Sequence, residues 1–288
     1  MKQKILILGA TGMVGHKLFF EFSKKPDLDV WATIRKTLDK KTFSAILAAK
    51  IIAPVDALKF DTVERTLEKL EPDVLINCIG ITKKLINEKE PLETIEINSL
   101  FPHWLARACS KLRIRMIQMA TDCVFSGAKG NYKESDIADA TDLYGRTKYL
   151  GELNYPNTLT IRTSFIGHEF KPPHHGLLEW FLSQKNQVRG YRRAIYSGVS
   201  TLEIARIFYE YILPNKKLQG LYQVSSSPIS KYELLGMIAK VYGKKVEIVA
   251  DGSVKINRSL SSKKFRRATG FRPKTWLRMV KEMHNDAA

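Results

Sequence analysis

The chain has 288 residues, of which 44% are hydrophobic and 26% are charged, and this composition excludes a disordered or fibrous protein. The net charge of +18 indicates ligands that carry phosphates or other negative charges. Its three cysteines show neither CxxC nor metal-ligand spacing, so we expect a cytoplasmic protein without a disulfide framework or a metal. No apolar run approaches the roughly 20 residues that cross a bilayer, so we expect no membrane partner.

Short apolar runs alternate with longer amphipathic segments through the first half of the chain. The short runs predict buried strands over 5–8, 30–34, 74–79, 116–120 and 159–161, with a further strand that closes at 60–62. The amphipathic segments predict helices over 13–22, 63–70, 92–112 and 144–153. Strands and helices that alternate in this way indicate a parallel sheet with helices on both faces.

This regular alternation fades after the strand at 159–161. We therefore predict an α/β protein, a Rossmann-type doubly wound parallel sheet with a smaller C-terminal substrate-binding lobe. Residues 1–165, with about 195–225 returning to them, are expected to form the dinucleotide-binding domain. Residues at about 166–194 and 226–288 are expected to form the substrate-binding lobe.

A glycine motif follows the first predicted strand and opens the first predicted helix. Gly9 permits a tight turn, Gly12 permits close approach of a pyrophosphate, and Gly15 lets helix and strand pack closely. The start of such a helix presents free N–H groups to phosphates. The spacing is GxxGxxG rather than the usual GxGxxG of dinucleotide-binding proteins. The predicted cofactor-binding residues here are Gly9, Thr11, Gly12, Met13, Val14 and Gly15.

The end of the second predicted strand bears on the choice between NADH and NADPH. An NAD site usually places Asp or Glu here to bind the ribose 2′-hydroxyl, whereas this chain has Arg35 and Lys36. A guanidinium can pair bidentately with a 2′-phosphate. We therefore predict NADPH rather than NADH, with Arg35 as the main contact; the alternative is a solvated charge at a strand end.

Two further predicted strand ends point to the same crevice, because ligands of open α/β sheets bind at the carboxyl ends of the strands. At the first, Asp61 is predicted to accept from the adenine amino group beside Thr62, although Asp61 could equally cap a helix. At the second, Cys78 and Ile79 precede Gly80, which permits close passage of the backbone past the ribose.

Tyr144 and Lys148 are four residues apart in a predicted helix, so both project from one face. A phenol with a pKa near 10 is a poor proton donor or acceptor at neutral pH, and a nearby cation lowers its pKa. Thr121 follows the fifth predicted strand, where its hydroxyl could bind a carbonyl oxygen. The pattern predicts a carbonyl reductase that transfers hydride from the nicotinamide cofactor.

These stretches resemble the extended short-chain dehydrogenase/reductases, and among them the dTDP-4-dehydrorhamnose reductase branch. The matching segments are 7–15 (ILGATGMVG), 72–78 (PDVLINC), 121–127 (TDCVFSG), 143–152 (LYGRTKYLGE), 161–164 (IRTS), 198–203 (GVSTLE), 220–225 (GLYQVS) and 230–235 (SKYELL). The resemblance covers nearly the whole chain. It implies NADPH-dependent reduction at C4 of a nucleotide-linked 4-keto-6-deoxyhexose, in the synthesis of deoxysugar and polysaccharide precursors.

The resemblance also implies roles for individual residues. Tyr144 would donate the proton, supported by Lys148, and Thr121 would bind the keto oxygen. Asn98 matches an asparagine that supports a proton relay, while the segment with Thr163 and Ser164 closes over the nicotinamide. The chain departs from the pattern in two places. Cys123 stands where the family often has a tyrosine that faces the sugar, which leaves the identity of the sugar open, and the segment 189–198 is more basic than expected for the branch.

Candidate substrate ligands extend beyond this motif. The arginines of the basic segment 189–196 could bind a diphosphate while Tyr196 lies against the base, or they could form a solvated loop. Lys83, after the fourth predicted strand, is either a ligand or an ordinary surface lysine. The predicted substrate-binding residues are Lys83, Cys123, Val124, Phe125, Arg189, Arg192, Arg193 and Tyr196.

Two alternatives to this interpretation stay open. The substrate could be a UDP-linked N-acetylated 4-keto-deoxysugar, reduced with or without 3-epimerisation. The chain could also be a regulatory subunit that binds dinucleotide without catalysis, as some members of the branch are. The charge alone would suit nucleic acid, but no recognition motif accompanies it, so we expect no nucleic-acid partner. A homodimer is the candidate assembly.

Overall fold

The computed structural model describes residues 2–286 and is built around a seven-stranded sheet. The strand order is β11-β6-β5-β4-β1-β2-β3, and the registered pairs from β5 to β3 are parallel. The seven strands are β1 Gln3–Leu8, β2 Leu28–Thr33, β3 Ile51–Ile52, β4 Val74–Asn77, β5 Arg115–Thr121, β6 Thr158–Thr163 and β11 Gly220–Gln223. The sequence prediction of a doubly wound α/β fold is confirmed.

The burial of the strands explains why their sequences are continuously apolar. Every residue of β4 and β5 is buried, as expected for parallel strands that helices cover on both faces. β1 pairs on one side with β2 and on the other with β4, so the order of the strands reverses beside β1. Ligands of doubly wound sheets bind at this reversal, outside the carboxyl ends of the strands.

Helices occupy the connections and the C-terminal part of the chain. They are α1 Met13–Ser23, α2 Ala45–Ala48, α3 Phe60–Leu70, α4 Leu92–Ile95, α5 Phe101–Lys111, α6 Leu143–Leu150, α7 Leu177–Ser183, α8 Thr201–Ile207, α9 Lys231–Tyr242, α10 Lys263–Thr269 and α11 Trp276–Asn285. A π-helical turn, Glu96–Leu100, joins α4 to α5, so the predicted helix over 92–112 exists with a widened turn inside it. Each helix within residues 2–286 is too short or too polar to cross a membrane.

The prediction of a strand that closes at 60–62 was wrong. The third strand is only Ile51–Ile52, and α3 begins at Phe60. Pro54 cannot donate to a sheet ladder, and it lies two residues after the end of β3. The buried face of α3 contains Val63, Thr66 and Leu67, a helical repeat that starts at the supposed strand end.

The chain divides into two compact units. Of the described residues, the first unit comprises 2–120, 141–161 and 216–221, and its core packs α3 and α5 against β1 and β4. The second unit comprises 121–140, 162–215 and 222–286. Within the second unit, the remaining strands form small sheets: β7 Phe165–Ile166 with β10 Val199–Ser200, β8 Gln187–Tyr191 with β13 Glu247–Asp251, and β9 Ala194–Tyr196 between β12 Ile229–Ser230 and β14 Ile256–Asn257.

Candidate functional site

The glycine motif forms the turn between β1 and α1. Gly9 has a φ of +85°, a conformation that residues with a side chain rarely adopt. A Cβ added at Gly15 would lie 2.2 Å from the Gly9 carbonyl oxygen, so the close contact between the turn and α1 requires glycine there. A Cβ at Gly12 would meet only that same oxygen, at 3.4 Å. The fold therefore does not require Gly12, and its missing side chain leaves the start of α1 open to a phosphate.

The neighbouring residues hold this turn in place. Thr33, buried at the end of β2, accepts from Ala10 N through its carbonyl at 2.9 Å and from Gly9 N through its hydroxyl at 3.4 Å. Thr11 and Met13 are half-buried at the entry to α1, whereas Val14 is buried. Gly12 is the N-cap of α1 and provides no side-chain cap to its N–H groups. The turn thus presents mainly backbone groups.

Arg35 and Lys36 follow β2 and are both exposed, which leaves their cationic groups accessible to an anion. Asp61 is not at a strand end, as predicted, but in the first turn of α3. Its side chain is 67% exposed and pairs with Arg65 at 2.6 Å. The Thr62 hydroxyl is likewise engaged, because it accepts from Asp56 N at 3.0 Å. The predicted position of Asp61 at a strand end was therefore wrong, and its contact with the adenine stays a prediction.

The carboxylate that does follow β3 is Asp56, which sequence reasoning missed. Its Oδ1 accepts from Leu58 N at 3.1 Å, and its backbone N–H is held by Thr62. Two signals could have identified it: Pro54 as the end of the strand, and the helical repeat that begins at Phe60. Asp56 is therefore the better candidate for an adenine contact at this edge of the sheet.

The end of β4 meets the helix that carries Lys148. A Cβ added at Gly80 would lie 3.3 Å from Asn98 Oδ1 and 3.6 Å from Lys148 Nζ. Asn98 is buried; it accepts from Ile81 N at 2.9 Å and donates to the Ile81 carbonyl at 3.0 Å. The structure thus brings three predicted residues, Gly80, Asn98 and Lys148, to one place.

The π-helical turn explains how Asn98 reaches this position. A Cβ at Gly151 would lie 2.0 Å from the Asn98 carbonyl oxygen, so the end of α6 packs directly on the turn. Ser99 donates to the Thr147 carbonyl at 3.0 Å, and the Asn98 amide donates to the Thr147 hydroxyl at 3.4 Å. Widened helical turns of this kind occur frequently at functional sites. Here the turn locks α6 to the segment that follows β4.

Lys148 is buried, and its ammonium group donates to the Met119 carbonyl near the end of β5 at 2.9 Å. Burial lowers the pKa of Lys148 to about 8, and the Glu152 and Cys78 side chains oppose this shift. Burial also raises the pKa of the Cys78 thiol to about 12, so the thiol stays neutral beside the ammonium. A lysine with this pKa is mostly charged at neutral pH.

Tyr144 lies one helical turn before Lys148 and is half-buried. Asp142 caps α6 by accepting from Gly145 N at 2.9 Å, and its other carboxylate oxygen accepts from Lys83 Nζ at 2.9 Å. Lys83, a predicted substrate ligand, is thus placed at the N-terminus of the helix that carries Tyr144. Ile79 N donates to Asn77 Oδ1 at 3.0 Å, which fixes the backbone before Gly80.

The loop after β5 belongs to the second unit. Thr121 accepts from Cys123 N at 3.1 Å and donates to Asp122 Oδ1 at 3.3 Å. Burial raises the pKa of Asp122 even though Arg258 and hydrogen bonds, one of them from Ser164, oppose the shift. Burial and Asp122 raise the pKa of Cys123 to about 12.

Val124 and Phe125 were predicted to contact the substrate, but their side chains are fully buried. Phe125 stacks on Tyr132, with ring centroids 4.0 Å apart, and packs with Leu260. These side chains therefore form a core beneath the loop, and a direct contact with the substrate stays a prediction.

The three arginines of the basic segment 189–196 are exposed. Arg189 is 78% exposed and lies 3.7 Å from Asp251, and Arg192 lies over the Tyr232 ring at 5.4 Å. Arg193 is exposed as well. The structure does not gather these three arginines around one buried centre, so the diphosphate role stays a prediction.

Tyr196 differs from these arginines because it points inward. Its ring lies 5.4 Å from the Trp276 ring, and its buried hydroxyl has no hydrogen-bond partner among residues 2–286. Burial and the nearby Asp122 raise the pKa of Tyr196. The structure therefore places Tyr196 by the loop that carries Thr121.

The arginine that contacts this loop is Arg258, which sequence reasoning missed. Its Nε donates to the Phe125 carbonyl at 2.7 Å, and its Nη1 lies 3.7 Å from Cys123 Sγ. No sequence signal marked it, because it is far from the loop in the chain and stands in an otherwise basic C-terminal segment.

Thr163 and Ser164 lie where β6 ends. Thr163 donates to the Ser164 carbonyl at 3.2 Å, and the same carbonyl accepts from Val199 N at 2.9 Å. A Cβ at Gly198 would lie 2.5 Å from that oxygen, so the segment packs closely on β10. Within residues 2–286, no group of three or more His, Cys, Asp or Glu side chains is arranged to hold a metal.

Known proteins with similar sequences carry three kinds of name. The chain is 26% identical over 150 residues to methionine adenosyltransferase 2 subunit beta of Mus musculus, covering 52% of this chain and 42% of that protein. It is 29% identical over 172 residues to dTDP-4-dehydrorhamnose reductase of Mycolicibacterium smegmatis, covering 58% and 46%. Spore coat polysaccharide biosynthesis protein SpsK of Bacillus subtilis is 25% identical over 294 residues, covering 97% and 96%. The first two matches thus span less than half of those relatives.

A solved structure of similar fold is the dTDP-4-dehydrorhamnose reductase of Bacillus anthracis in complex with NADP. Its TM-score is 0.81 at 19% identity, and the match covers 99% of this chain and 100% of that one. The family model described as RmlD substrate binding domain matches residues 3–288. The resemblance inferred from the motifs is confirmed, and the chain belongs to the RmlD substrate binding domain family.

Proposed function

We propose that this protein is an NADPH-dependent reductase that acts on the C4 keto group of a nucleotide-linked deoxysugar. The proposal rests on the surroundings of Lys148, which lies on the same helix as Tyr144. Its ammonium group, Gly80 and Asn98 lie close together. A buried, charged lysine one turn from a tyrosine is the arrangement that proton transfer to a developing alkoxide requires.

The residues of the first unit fit a dinucleotide. The open N-terminus of α1 at Gly12 suits a pyrophosphate, and Asp56 suits the adenine. Exposed Arg35 at the end of β2 suits a 2′-phosphate and supports NADPH over NADH. When bound, the cofactor supplies the hydride; the chain supplies its binding groups, the proton and the groups that orient the keto sugar.

The proposed roles follow from the contacts. Lys148 holds its charge in a buried position, and this charge favours the phenolate form of Tyr144 after the proton has left. Thr121 ends β5, two residues after the Met119 carbonyl that anchors Lys148, and its hydroxyl would bind the keto oxygen. Asn98 fixes the backbone at Ile81 and lies beside the lysine, and the resemblance implies that it supports a proton relay there.

The comparisons support the class of substrate. Relatives named dTDP-4-dehydrorhamnose reductase and a spore coat polysaccharide biosynthesis protein point to a dTDP-linked 4-keto-6-deoxyhexose in the synthesis of polysaccharide precursors. A UDP-linked N-acetylated sugar is the alternative, because Cys123 replaces the usual tyrosine beside the sugar. We place the reaction in the cytoplasm, where the three free thiols would stay reduced.

A second candidate function is that of a non-catalytic regulatory subunit. It is favoured by the match to methionine adenosyltransferase 2 subunit beta over half of this chain. Tyr144, Lys148 and Asn98 are all present, and the last two are joined to their surroundings by short hydrogen bonds. A subunit without catalytic function has no need of this arrangement, so we favour the reductase.

The test is NADPH oxidation with a panel of dTDP- and UDP-linked 4-keto-6-deoxysugars. We expect turnover with at least one, and a loss of about 10²–10⁴ in kcat for Tyr144→Phe, the range for removal of a general acid. Tyr149→Phe is the matched control, since Tyr149 lies on the same helix but is half exposed, and it should retain activity. Binding of NADPH without reduction of any panel member would favour the regulatory subunit.

A further inference from the structure

Arg258 lies against the loop that carries Thr121. Its Nε donates to the Phe125 carbonyl at 2.7 Å, and its Nη1 contacts Cys123 Sγ at 3.7 Å. The residue is half-buried, and it arrives from the end of β14 in the same unit as the loop. Arginine has five N–H donors, so the bond from Nε to the backbone carbonyl leaves other N–H groups of the guanidinium for a further acceptor.

No carboxylate neutralises this guanidinium directly. Among residues 2–286, no Asp or Glu lies within 4.0 Å of Arg258 in an ion pair. Asp122 and Asp139 are close enough for Arg258 to lower their pKa values, but Asp139 is held by Ser126 at 2.7 and 2.6 Å. The contacting Cys123 thiol stays neutral because its pKa is about 12, and a neutral sulfur is a weak acceptor. Arg258 therefore keeps a partly desolvated charge available to a ligand.

The small side chain at position 123 makes room for this arrangement. Similar reductases often have a tyrosine there whose ring faces the sugar, whereas here the position is a cysteine in contact with Arg258 Nη1. A phenol ring in place of the thiol would compete for the volume that the guanidinium now occupies. Cys123 and Arg258 therefore act together: the loop has a guanidinium beside it instead of an aromatic ring.

A second donor lies near the same loop. The Tyr196 hydroxyl is buried, lacks a hydrogen-bond partner within residues 2–286, and is close enough to Asp122 to be affected by its charge. A buried polar group without a partner costs free energy that a ligand can recover. Arg258 and Tyr196 both offer donors, so the loop favours a ligand that brings acceptor oxygens.

We propose that Arg258 is a specificity-determining residue of the substrate site, which donates hydrogen bonds to a carbonyl or carboxylate oxygen on a ring substituent of the sugar. The chain therefore prefers 4-keto sugars with an acyl-amino or carboxylate substituent to those with hydroxyl and methyl substituents alone. This inference rests on the proposed function and names the substrate class within it.

The experiment compares two UDP-linked 4-keto-6-deoxysugars that differ only at C2, with acetamido in one and hydroxyl in the other. Wild type is expected to favour the acetamido sugar in kcat/KM by about tenfold or more, as for a hydrogen bond from a charged donor. Arg258→Met should abolish this preference, because the kcat/KM for the acetamido sugar falls further than that for the hydroxyl sugar. Arg189→Met is the matched control, because Arg189 is 78% exposed, and it should keep the wild-type ratio.

A second variant tests the pairing with Cys123. Cys123→Tyr should displace the guanidinium and shift the preference toward the hydroxyl sugar. If Arg258→Met keeps the wild-type ratio of kcat/KM for the two sugars, or loses activity equally with both, the inference is overturned. The thermal midpoint of each variant, measured with and without NADPH, identifies a variant that does not fold.

Calorimetry of the binding of the corresponding C4 alcohols tests the role of Arg258 without requiring turnover. Wild type should bind the acetamido alcohol about tenfold more tightly, and Arg258→Met should bind both alike. If no keto sugar is reduced while this binding difference is present, the reductase proposal fails and the role of Arg258 stands. If turnover occurs but neither ratio depends on Arg258, only the inference fails.

Discussion

The surroundings of Lys148 and those of Arg258 are two different ways of holding a cation. Lys148 is buried in the first unit and donates to the Met119 carbonyl, and neighbouring Asn98 is bonded on both sides to Ile81. Arg258, in the second unit, is half-buried. It donates to one strong acceptor, the Phe125 carbonyl, and contacts the neutral Cys123 thiol. The first arrangement is complete before any ligand arrives, as catalysis requires. The second leaves donors for a ligand, as recognition requires.

The two regions also differ in what positions them, which is backbone contact in the first and side-chain packing in the second. Close backbone contacts at glycines position the first unit: an added Cβ would lie 2.2 Å from the Gly9 carbonyl oxygen at Gly15 and 2.0 Å from the Asn98 carbonyl oxygen at Gly151. The loop beside Arg258 is positioned instead by the side-chain core of Phe125, Tyr132 and Leu260. Substitutions of glycine should therefore disturb the first region far more than conservative changes disturb the second.

The largest expected effect is that of Gly15→Ala on stability. The new Cβ would lie 2.2 Å from the Gly9 carbonyl oxygen, and the obstacle is backbone that cannot swing aside. Overpacking of this kind should lower the free energy of unfolding by about 3 kcal/mol, measured by urea denaturation.

Gly236→Ala is the matched control. Gly236 lies within α9, and a Cβ there meets nothing within 4 Å. Alanine in a helix interior should raise stability by about 0.5–1 kcal/mol. Equal destabilisation by both substitutions would show that the contact between Gly9 and Gly15 has no special importance.

Sequence reasoning predicted most of the first region because its signals are local. A glycine motif directly after a strand, or Tyr144 and Lys148 one helical turn apart, depends only on neighbours in the chain. Asp61 shows the limit: a strand of two residues, Ile51–Ile52, gave too little pattern to fix where it ended. That error of a few residues moved the proposed adenine contact away from Asp56.

The second region was predicted less well because its contacts are distant in sequence. Cys123 and Arg258 meet across 135 positions, and each looks ordinary alone. The arginines at 189–193 attracted notice because they are clustered, yet the structure leaves them exposed. Clustering of basic residues in the sequence does not show which arginine side chain contacts the loop in the folded protein.

The next effect in size concerns Arg35, the exposed arginine after β2. Arg35→Asp should lower the ratio of kcat/KM for NADPH to that for NADH by about 10–100-fold, because a charged, bidentate contact to the 2′-phosphate is lost. Arg107→Asp makes the same change in net charge at an exposed position of α5 and should leave the ratio unchanged. An unaltered ratio in Arg35→Asp would remove the basis for NADPH preference at this strand end.

The smallest effect is a pH dependence set by Lys148. Burial lowers its pKa from 10.5 to about 8, so the charged form is present below that pH and lost above it. The kcat/KM for NADPH reports the free enzyme and should fall about tenfold per pH unit above 8. Glu152→Gln removes a carboxylate that raises the pKa of Lys148, so the decline should begin at lower pH. Lys148→Arg should remove the decline near pH 8, because arginine keeps its charge. A decline that neither substitution moves would assign the titration to another group and leave the buried ammonium without a measurable part in the reaction.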